Sequence, residues 1–463
     1  MDAGSASDPT RMHRLGPRAD ALARALADLS VTRLCELAPL DGSSTYAALS
    51  QAAGRTVTPT GLGATAATAL WDEVLSRACI STDHPSYLAF IPSAPAKAAA
   101  AFDMLIGASS VYGGSWLEGA GAVYAENQAL RWLADLAGLP DEAGGVFVQG
   151  GTAGNLSALV AARTTVHRRR GHRPDRWAVL LSEETHSSVR HALESVMDVD
   201  VVVVPGDERG RMTGAAVAAW AADATPEQRG SVFAVVATAG TTNLGVVDDI
   251  DGIADVCARQ DWWLHVDGAY GAAGLAAPTV RPLFAGIERA DSFIVDPHKW
   301  LFAPFDACAL LYRDPKLARV AHTQHASYLD PVTLGGEWNP SDFAVQLSRR
   351  ARGLPFWFAL AVHGTDAYTD AIEHTLEVAR AARVLIDEAD HLRLLVEPDL
   401  SVLIFERLGW ETADYAAWST RLLEDEVAFV TPSRHRGRPC TRIVVVNPLT
   451  TLADITRVLD SMR

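Results

Sequence analysis

Trp262-Trp263-Leu264-His265-Val266-Asp267-Gly268-Ala269-Tyr270 is a short apolar run that ends on a carboxylate and a glycine, the pattern of a buried strand giving way to a loop. Runs of the same kind recur at Gly145 to Val148, Trp177 to Leu181, Val199 to Val204, Val232 to Ala237, Ser292 to Val295 and Cys308 to Tyr312, with helical patterns between them. Short, Val-rich runs separated by helices are the signature of a mainly parallel sheet covered on both faces. The expectation is an α/β fold with a large seven-stranded sheet, whose ligand sites lie at the carboxyl ends of the strands.

The pattern divides the chain in three. Residues 1–95 read as helices, around Arg18 to Leu29 and Ala64 to Ala78, joined by Pro- and Gly-containing loops and with little core of their own. Residues 96–341 carry the strand-helix alternation. Residues 342–463 change character: one long helical stretch from Asp342 to about Ala389, strands near Leu392 to Val396, Val402 to Glu406 and Arg442 to Val446, and a closing helix. That is the pattern of a small α+β C-terminal domain.

Composition narrows the function classes. A formal charge of −16 argues against nucleic-acid or anionic-membrane partners, because such surfaces attract clustered Lys and Arg. The basic cluster from His167 to Arg173 reads as a solvated helix end. Cys35, Cys79, Cys257, Cys308 and Cys440 are odd in number, widely spaced and without a C-x-x-C pair, so neither a disulfide framework nor a metal site is suggested, and they read as buried thiols. With no leader-like segment and no apolar run of about 20 residues, a cytoplasmic protein that does not enter the membrane is expected.

Of 40 basic side chains only three are lysines, Lys97, Lys299 and Lys316. A lysine kept where arginine serves almost everywhere else suggests a need to lose a proton and attack a carbonyl. Lys97 and Lys316 read as surface charge, whereas Lys299 lies in the apolar Val295-Asp296-Pro297-His298-Lys299-Trp300-Leu301-Phe302, where desolvation is expected to lower its pKa.

Other segments carry chemistry at strand ends. Gly150-Gly151-Thr152-Ala153-Gly154-Asn155 follows a strand and opens a helix, offering backbone N–H groups and a helix dipole to a phosphate, although it is equally a plain strand-to-helix turn. Asp267 is costly at a buried strand end unless it meets a cation or caps a loop. His186, in Ser182-Glu183-Glu184-Thr185-His186-Ser187-Ser188, can stack on a planar ring or be structural. Thr242, in Ala239-Gly240-Thr241-Thr242-Asn243, is a contact or a turn residue. In combination, a phosphate loop, a ring-stacking His, a strand-end Asp and a desolvated Lys each handle one part of pyridoxal 5′-phosphate (PLP).

These residues resemble those of the group II PLP-dependent amino-acid decarboxylases, the family of aromatic L-amino-acid decarboxylase, over nearly the whole chain from His84-Pro85 to Asn447-Pro448. The resemblance implies PLP fold type I, like aspartate aminotransferase, and a homodimer whose N-terminal segment clasps the partner. It implies that Thr152, Ala153 and Gly154 hold the cofactor phosphate, His186 and Ala269 face the two sides of the ring, and Thr242 and His298 contact the cofactor. Asp267 pairs with the ring nitrogen and Lys299 forms the Schiff base. Tyr328, in a loop-rich segment from Arg313 to Glu337 read as a lid, matches the tyrosine that protonates the substrate Cα; alternatively it packs the closed lid. His84, Ile91, Ser93 and Tyr112 fall in regions that line the substrate pocket.

Two departures stand out. Gly154 replaces a Ser common in the family, and Asp296 an Asn. The expected activity is α-decarboxylation of an L-amino acid, with an aromatic one as first choice, to the amine. Oxidative decarboxylation to an aldehyde, transamination and a non-catalytic binding role are the competing readings, and Arg442 is the candidate partner for an acidic substrate.

Overall fold

The computed structural model describes residues 8, 10, 12–37, 39–333 and 336–463, and these form two compact units, 1–81 and 82–463. The first contains helices Pro17–Cys35, Tyr46–Ala53 and Ala64–Leu70. Leu40 is the sole buried residue among those described there, in keeping with the weak core expected of this segment.

The second unit is built on seven strands: β1 (Gly144–Val148), β2 (Ala178–Ser182), β3 (Asp200–Val204), β4 (Val232–Thr238), β5 (Trp263–Asp267), β6 (Ser292–Val295) and β7 (Cys308–Tyr312). Their order is β1-β7-β6-β5-β4-β2-β3, with β7 antiparallel to both neighbours and all other pairs parallel. Every strand except β1 and β3 is buried along its whole length, as expected of a sheet clad on both faces. Successive residues alternate between two cores: Leu264 and Phe293 pack on one face, Trp263 and Ile294 on the other. Helix Gly151–Arg170 covers the second face with Ala158, Leu159, Ala162 and Val166. Its last turn, His167 to Arg170, puts positive charge at the negative end of the helix dipole, and Arg169 pairs with Asp261 at 2.9 Å. The basic cluster is therefore a helix end.

A second, antiparallel sheet follows from β8 (Leu392–Leu394), β9 (Val402–Arg407), β10 (Thr431–His435) and β11 (Arg438–Val444), ordered β10-β11-β9-β8. Leu403, Phe405 and Ile443 pack against Ala379, Ala382 and Ile386 of helix Thr365–Glu388. The single long helix expected from Asp342 to Ala389 is instead two helices, Leu354–His363 and Thr365–Glu388, because Gly364 adopts φ 76° and stops the first. The segment read as a lid holds helix Pro315–His322, started by Pro315 and by the Asp314 carboxylate accepting from Lys316 N–H, and short turns at Ser327–Leu329 and Asp330–Thr333. Leu334 and Gly335 of that segment lie outside the described residues. Cys257, Cys308 and Cys440 are buried as expected, but Cys35 and Cys79 are exposed, because the helices that carry them have no buried face. Among the described residues no helix is long and apolar enough to cross a membrane.

One ion pair ties the entry of the C-terminal region to the rest. Glu126, on helix Trp116–Leu136, accepts two bonds from Arg349 Nη2 (2.6 and 2.7 Å) and one from Gly353 N–H (2.8 Å), and both side chains are fully buried. Removing one partner strands the other charge. Arg349→Met is expected to lower unfolding free energy by about 3–5 kcal/mol, while the double change Glu126→Leu/Arg349→Met recovers most of it. Denaturant unfolding of the three proteins checks this; equal stability of the single and double variants would refute it.

Candidate active site

Sheet order brings the strand ends together. The loop after β1, the loop after β2, the ends of β4 and β5, and the turn after β6 surround a cavity of about 320 Å³ lined by Gly150, Gly151, Thr152, Asn155, His186, Thr242, Asp267, Ala269, Asp296, His298 and Lys299, among others.

Helix Gly151–Arg170 starts at one wall. The N–H groups of Ala153 and Gly154 turn back to the Gly150 carbonyl at 3.0 and 3.1 Å, so the orphan amides at the helix start that line the cavity are those of Gly151 and Thr152. Ala153 packs on the sheet core, and a Cβ on Gly154 would stand 2.9 Å from both Cys308 Sγ and an Ile294 methyl. The glycine at 154 is thus matched to the bulk of Cys308 beneath it.

His186 stands exposed at the mouth, where its Nδ1 accepts from Ser188 N–H (3.2 Å) and so caps the helix Ser187–His191. The structural reading is borne out, and the cap fixes the ring beside the cavity. Asp267, 4% exposed, accepts from Ala269 N–H (3.1 Å) and from Asn155 Nδ2 (2.9 Å). His298 Nδ1 lies 2.7 Å from the Ala307 carbonyl, and burial lowers its pKa.

The environment of Lys299 differs from expectation. Its Nζ lies 3.0 Å from Asp296 Oδ2. Burial pushes the ammonium pKa down, but the charges of Asp296 and Asp267 and the hydrogen bond to Asp296 outweigh it, and the pKa stands above the ordinary lysine value. Desolvation alone misjudged the site because the carboxylate that overrules it sits three residues earlier, on the same turn.

His84, Ile91, Ser93 and Tyr112 lie outside this cavity. His84 Nδ1 accepts from Ser86 N–H, Ser93 donates to the Ala303 carbonyl and Tyr112 to that of Leu347. Tyr328 falls in the turn Ser327–Leu329, and its side chain is outside the described set. Arg442, another candidate, is buried and donates to the Phe90 carbonyl. Sequence reading missed Asn155, His265 and Ser292, which lie behind Asp267, and Phe305 and Asp306, which line the cavity. Only the alternation of β5, which sends His265 and Asp267 to one side, hinted at the first group.

The residues present fit PLP. Helix-start amides and glycines accept a phosphate, and a Cβ on Gly151 would come within 3.3 Å of Ala269 and Asp296, so the wall is kept clear for a close ligand. The Asp296 Oδ1 atom is buried without a partner. A doubly clad, mainly parallel seven-stranded sheet with a lysine, a buried aspartate and a helix start converging at its strand ends is that of the PLP enzymes of fold type I. Residues 71–407 match the family described as the pyridoxal-dependent decarboxylase conserved domain, and the chain belongs to that family. It is 30% identical to an aromatic-L-amino-acid decarboxylase of Bacillus atrophaeus over 392 residues, 82% of this chain and 81% of that one. It is 33% identical over 391 residues to an L-2,4-diaminobutyrate decarboxylase of Rhizobium meliloti (strain 1021), 82% of this chain and 77% of the other. The crystal structure of Oryza sativa TDC with PLP and tryptamine shares the fold, with a TM-score of 0.86 at 24% identity over 99% of this chain and 98% of that one. The protein is a PLP-dependent amino-acid decarboxylase.

Were Lys299 the point of attachment, only its neutral amine would attack a carbonyl, so its raised pKa would leave little reactive form at neutral pH and the rate of cofactor attachment should climb as pH rises. Asp296→Asn removes the nearest raising charge. Stopped-flow attachment of PLP to cofactor-free protein should show the profile moved to lower pH in Asp296→Asn; an unmoved or upward-moved profile would dismiss Asp296 as the cause.

Proposed function

We propose that the chain decarboxylates an aromatic L-amino acid to its amine, as a homodimer in which residues 1–95 clasp the partner and 96–341 and 342–463 act as large and small domains. The observation that carries the substrate choice is the cavity wall. Phe305, 54% exposed, supplies aromatic surface, and Lys299 is the one Lys or Arg lining it among the described residues. An acidic side chain would find no spare cation there.

In this reading Thr152 and the adjoining Gly151 amide hold the phosphate, with Ala153 and Gly154 shaping the helix start behind them. His186 and Ala269 bracket the ring, Thr242 and His298 border it, and Asp267 keeps a proton on the ring nitrogen by charge pairing. Lys299 would hold the cofactor through its amine and free it for the substrate amine. Bound PLP supplies the electron sink that lets the Cα–carboxylate bond break. Tyr328 then gives its phenolic proton to the substrate Cα, with His186 as second proton carrier. His84, Ile91, Ser93 and Tyr112, expected to line the substrate pocket, lie outside this cavity, and the reading gives them no substrate contact in it.

A second reading, a substrate with a cationic side chain, draws on Asp306 at the cavity wall and on the diaminobutyrate decarboxylase relative. Asp306 is already ion-paired with Arg352, which favours the aromatic reading.

Turnover of phenylalanine, tyrosine and tryptophan against 2,4-diaminobutyrate separates the two; exclusive turnover of the diamino acid would overturn the first. Lys299→Ala and Lys299→Arg should both lose turnover and the visible absorbance of the attached cofactor, because a guanidinium stays protonated. Retention in either variant would sink the assignment of Lys299.

Tyr328→Phe should keep PLP and substrate affinity, lose most amine formation, and gain aldehyde, ammonia and hydrogen peroxide as the unprotonated intermediate meets oxygen. Parallel assay of amine, aldehyde and peroxide tests it. Amine at the wild-type rate would shift the proton to His186, and aldehyde as the main wild-type product would favour the oxidative reading.

A further inference from the structure

Behind Asp267 runs a row of buried polar side chains. Trp263 Nε1 is 2.9 Å from Ser292 Oγ, which is 2.8 Å from His265 Nδ1; His265 Nε2 is 2.8 Å from Asn155 Oδ1, and Asn155 Nδ2 is 2.9 Å from Asp267 Oδ2. Each of the five is at most 4% exposed, so water does not compete for these bonds.

Elementary chemistry sets the direction of every bond. A carboxylate only accepts, so Asn155 Nδ2 donates to Asp267, which turns Asn155 Oδ1 toward His265 Nε2. Nε2 therefore carries the hydrogen of neutral His265, and Nδ1 accepts from the Ser292 hydroxyl. Ser292 Oγ in turn accepts from the Trp263 indole N–H, which only donates. Burial pushes the His265 pKa down to about 4 against the raising charge of Asp267, so the ring stays neutral and the direction holds at neutral pH.

We infer that Asn155, His265 and Ser292 are positioning residues for the decarboxylation: a one-way hydrogen-bond row that aims the Asp267 carboxylate at the cofactor ring nitrogen, so that the proton shared between them stays on the nitrogen. The inference rests on the proposed pairing of Asp267 with that nitrogen. The Asn155 bond fixes one carboxylate oxygen and leaves the other turned to the cofactor, which favours the protonated ring that draws electrons from Cα. Pure packing would be served as well by apolar residues, since every polar group here must be paired merely to break even.

The test uses holoenzyme loaded with PLP isotopically labelled at the ring nitrogen. NMR of that nitrogen reads its protonation, and kinetics are taken in parallel. Asn155→Leu, close in size but without a donor, should move the resonance toward the unprotonated position and lower kcat about ten- to hundredfold, the worth of a hydrogen bond to a charge. KM should stay within about threefold, since substrate binding is not the step affected.

Ser292 provides a second arm should Asn155→Leu not fold. Ser292→Ala frees His265 to swap tautomer and should move the resonance the same way with a smaller kcat loss, whereas Ser292→Thr keeps the hydroxyl and the wild-type resonance. A packing role predicts the reverse order, because the extra methyl of Thr crowds a fully buried strand. Wild-type resonance and kcat in Asn155→Leu, or Thr worse than Ala at 292, would overturn the row. An unprotonated ring nitrogen in the wild-type holoenzyme would instead overturn the Asp267 pairing, and the row with it.

Discussion

Asp267 ends β5 and Asp296 directly follows β6, its neighbour at the centre of the sheet; they are 4% and 2% exposed, at a depth where an unpaired carboxylate is costly. The surrounding architecture meets that cost differently for each. Asp267 is held by a backbone amide and by the Asn155 donor, whereas Asp296 pairs with the Lys299 ammonium and keeps one oxygen without a partner. One carboxylate is satisfied by fixed dipoles and the other by a mobile charge. That asymmetry suits a site where a cationic ring nitrogen stays and a lysine has to be exchanged.

Sheet topology makes the arrangement possible. The parallel run β6-β5-β4-β2-β3 points its carboxyl ends one way, and β7 between β1 and β6 spaces the helix start after β1 from the Lys299 turn. Close contacts then link distant positions. Gly154 leaves room for Cys308 on β7, and Gly151 leaves room for Asp296 after β6. Of the departures from the family pattern, Gly154 packs over Cys308 and Asp296 precedes the His-Lys pair, and the Cys308 thiol is pushed up by burial and then by the charge of Asp296. They form one local environment.

The peripheral parts follow the same physics with less precision. Residues 1–81 form helices with good starts, Pro17 and the Thr45 cap among them, but bury almost nothing, and helix formation without a buried face is marginal in water. This is the physical basis for proposing that the segment acts against a second subunit.

All seven strands of the large sheet were legible within a residue or two, because a fully buried strand between helices reads as a continuous Val-rich run and the covering helices as Ala-rich stretches. Lys299, Asp267, His186 and the Gly150 turn were legible too, since their chemistry is local: a rare residue type at a strand end. Beyond the alternation that puts His265 on the Asp267 side of β5, nothing local marked Asn155, His265 or Ser292, which are ordinary helix and strand residues until β5, β6 and the helix after β1 pack side by side. The same holds for the protonation of Lys299. Its apolar flanks are local and pointed to a lowered pKa, but the balance is set by where Asp296 and Asp267 aim their oxygens, a property of the folded sheet. Periodicity and residue type act within a few positions along the chain and so reach strands, helices and single reactive groups; electrostatics and hydrogen-bond direction act through space, and their sign exists only once the chain has folded.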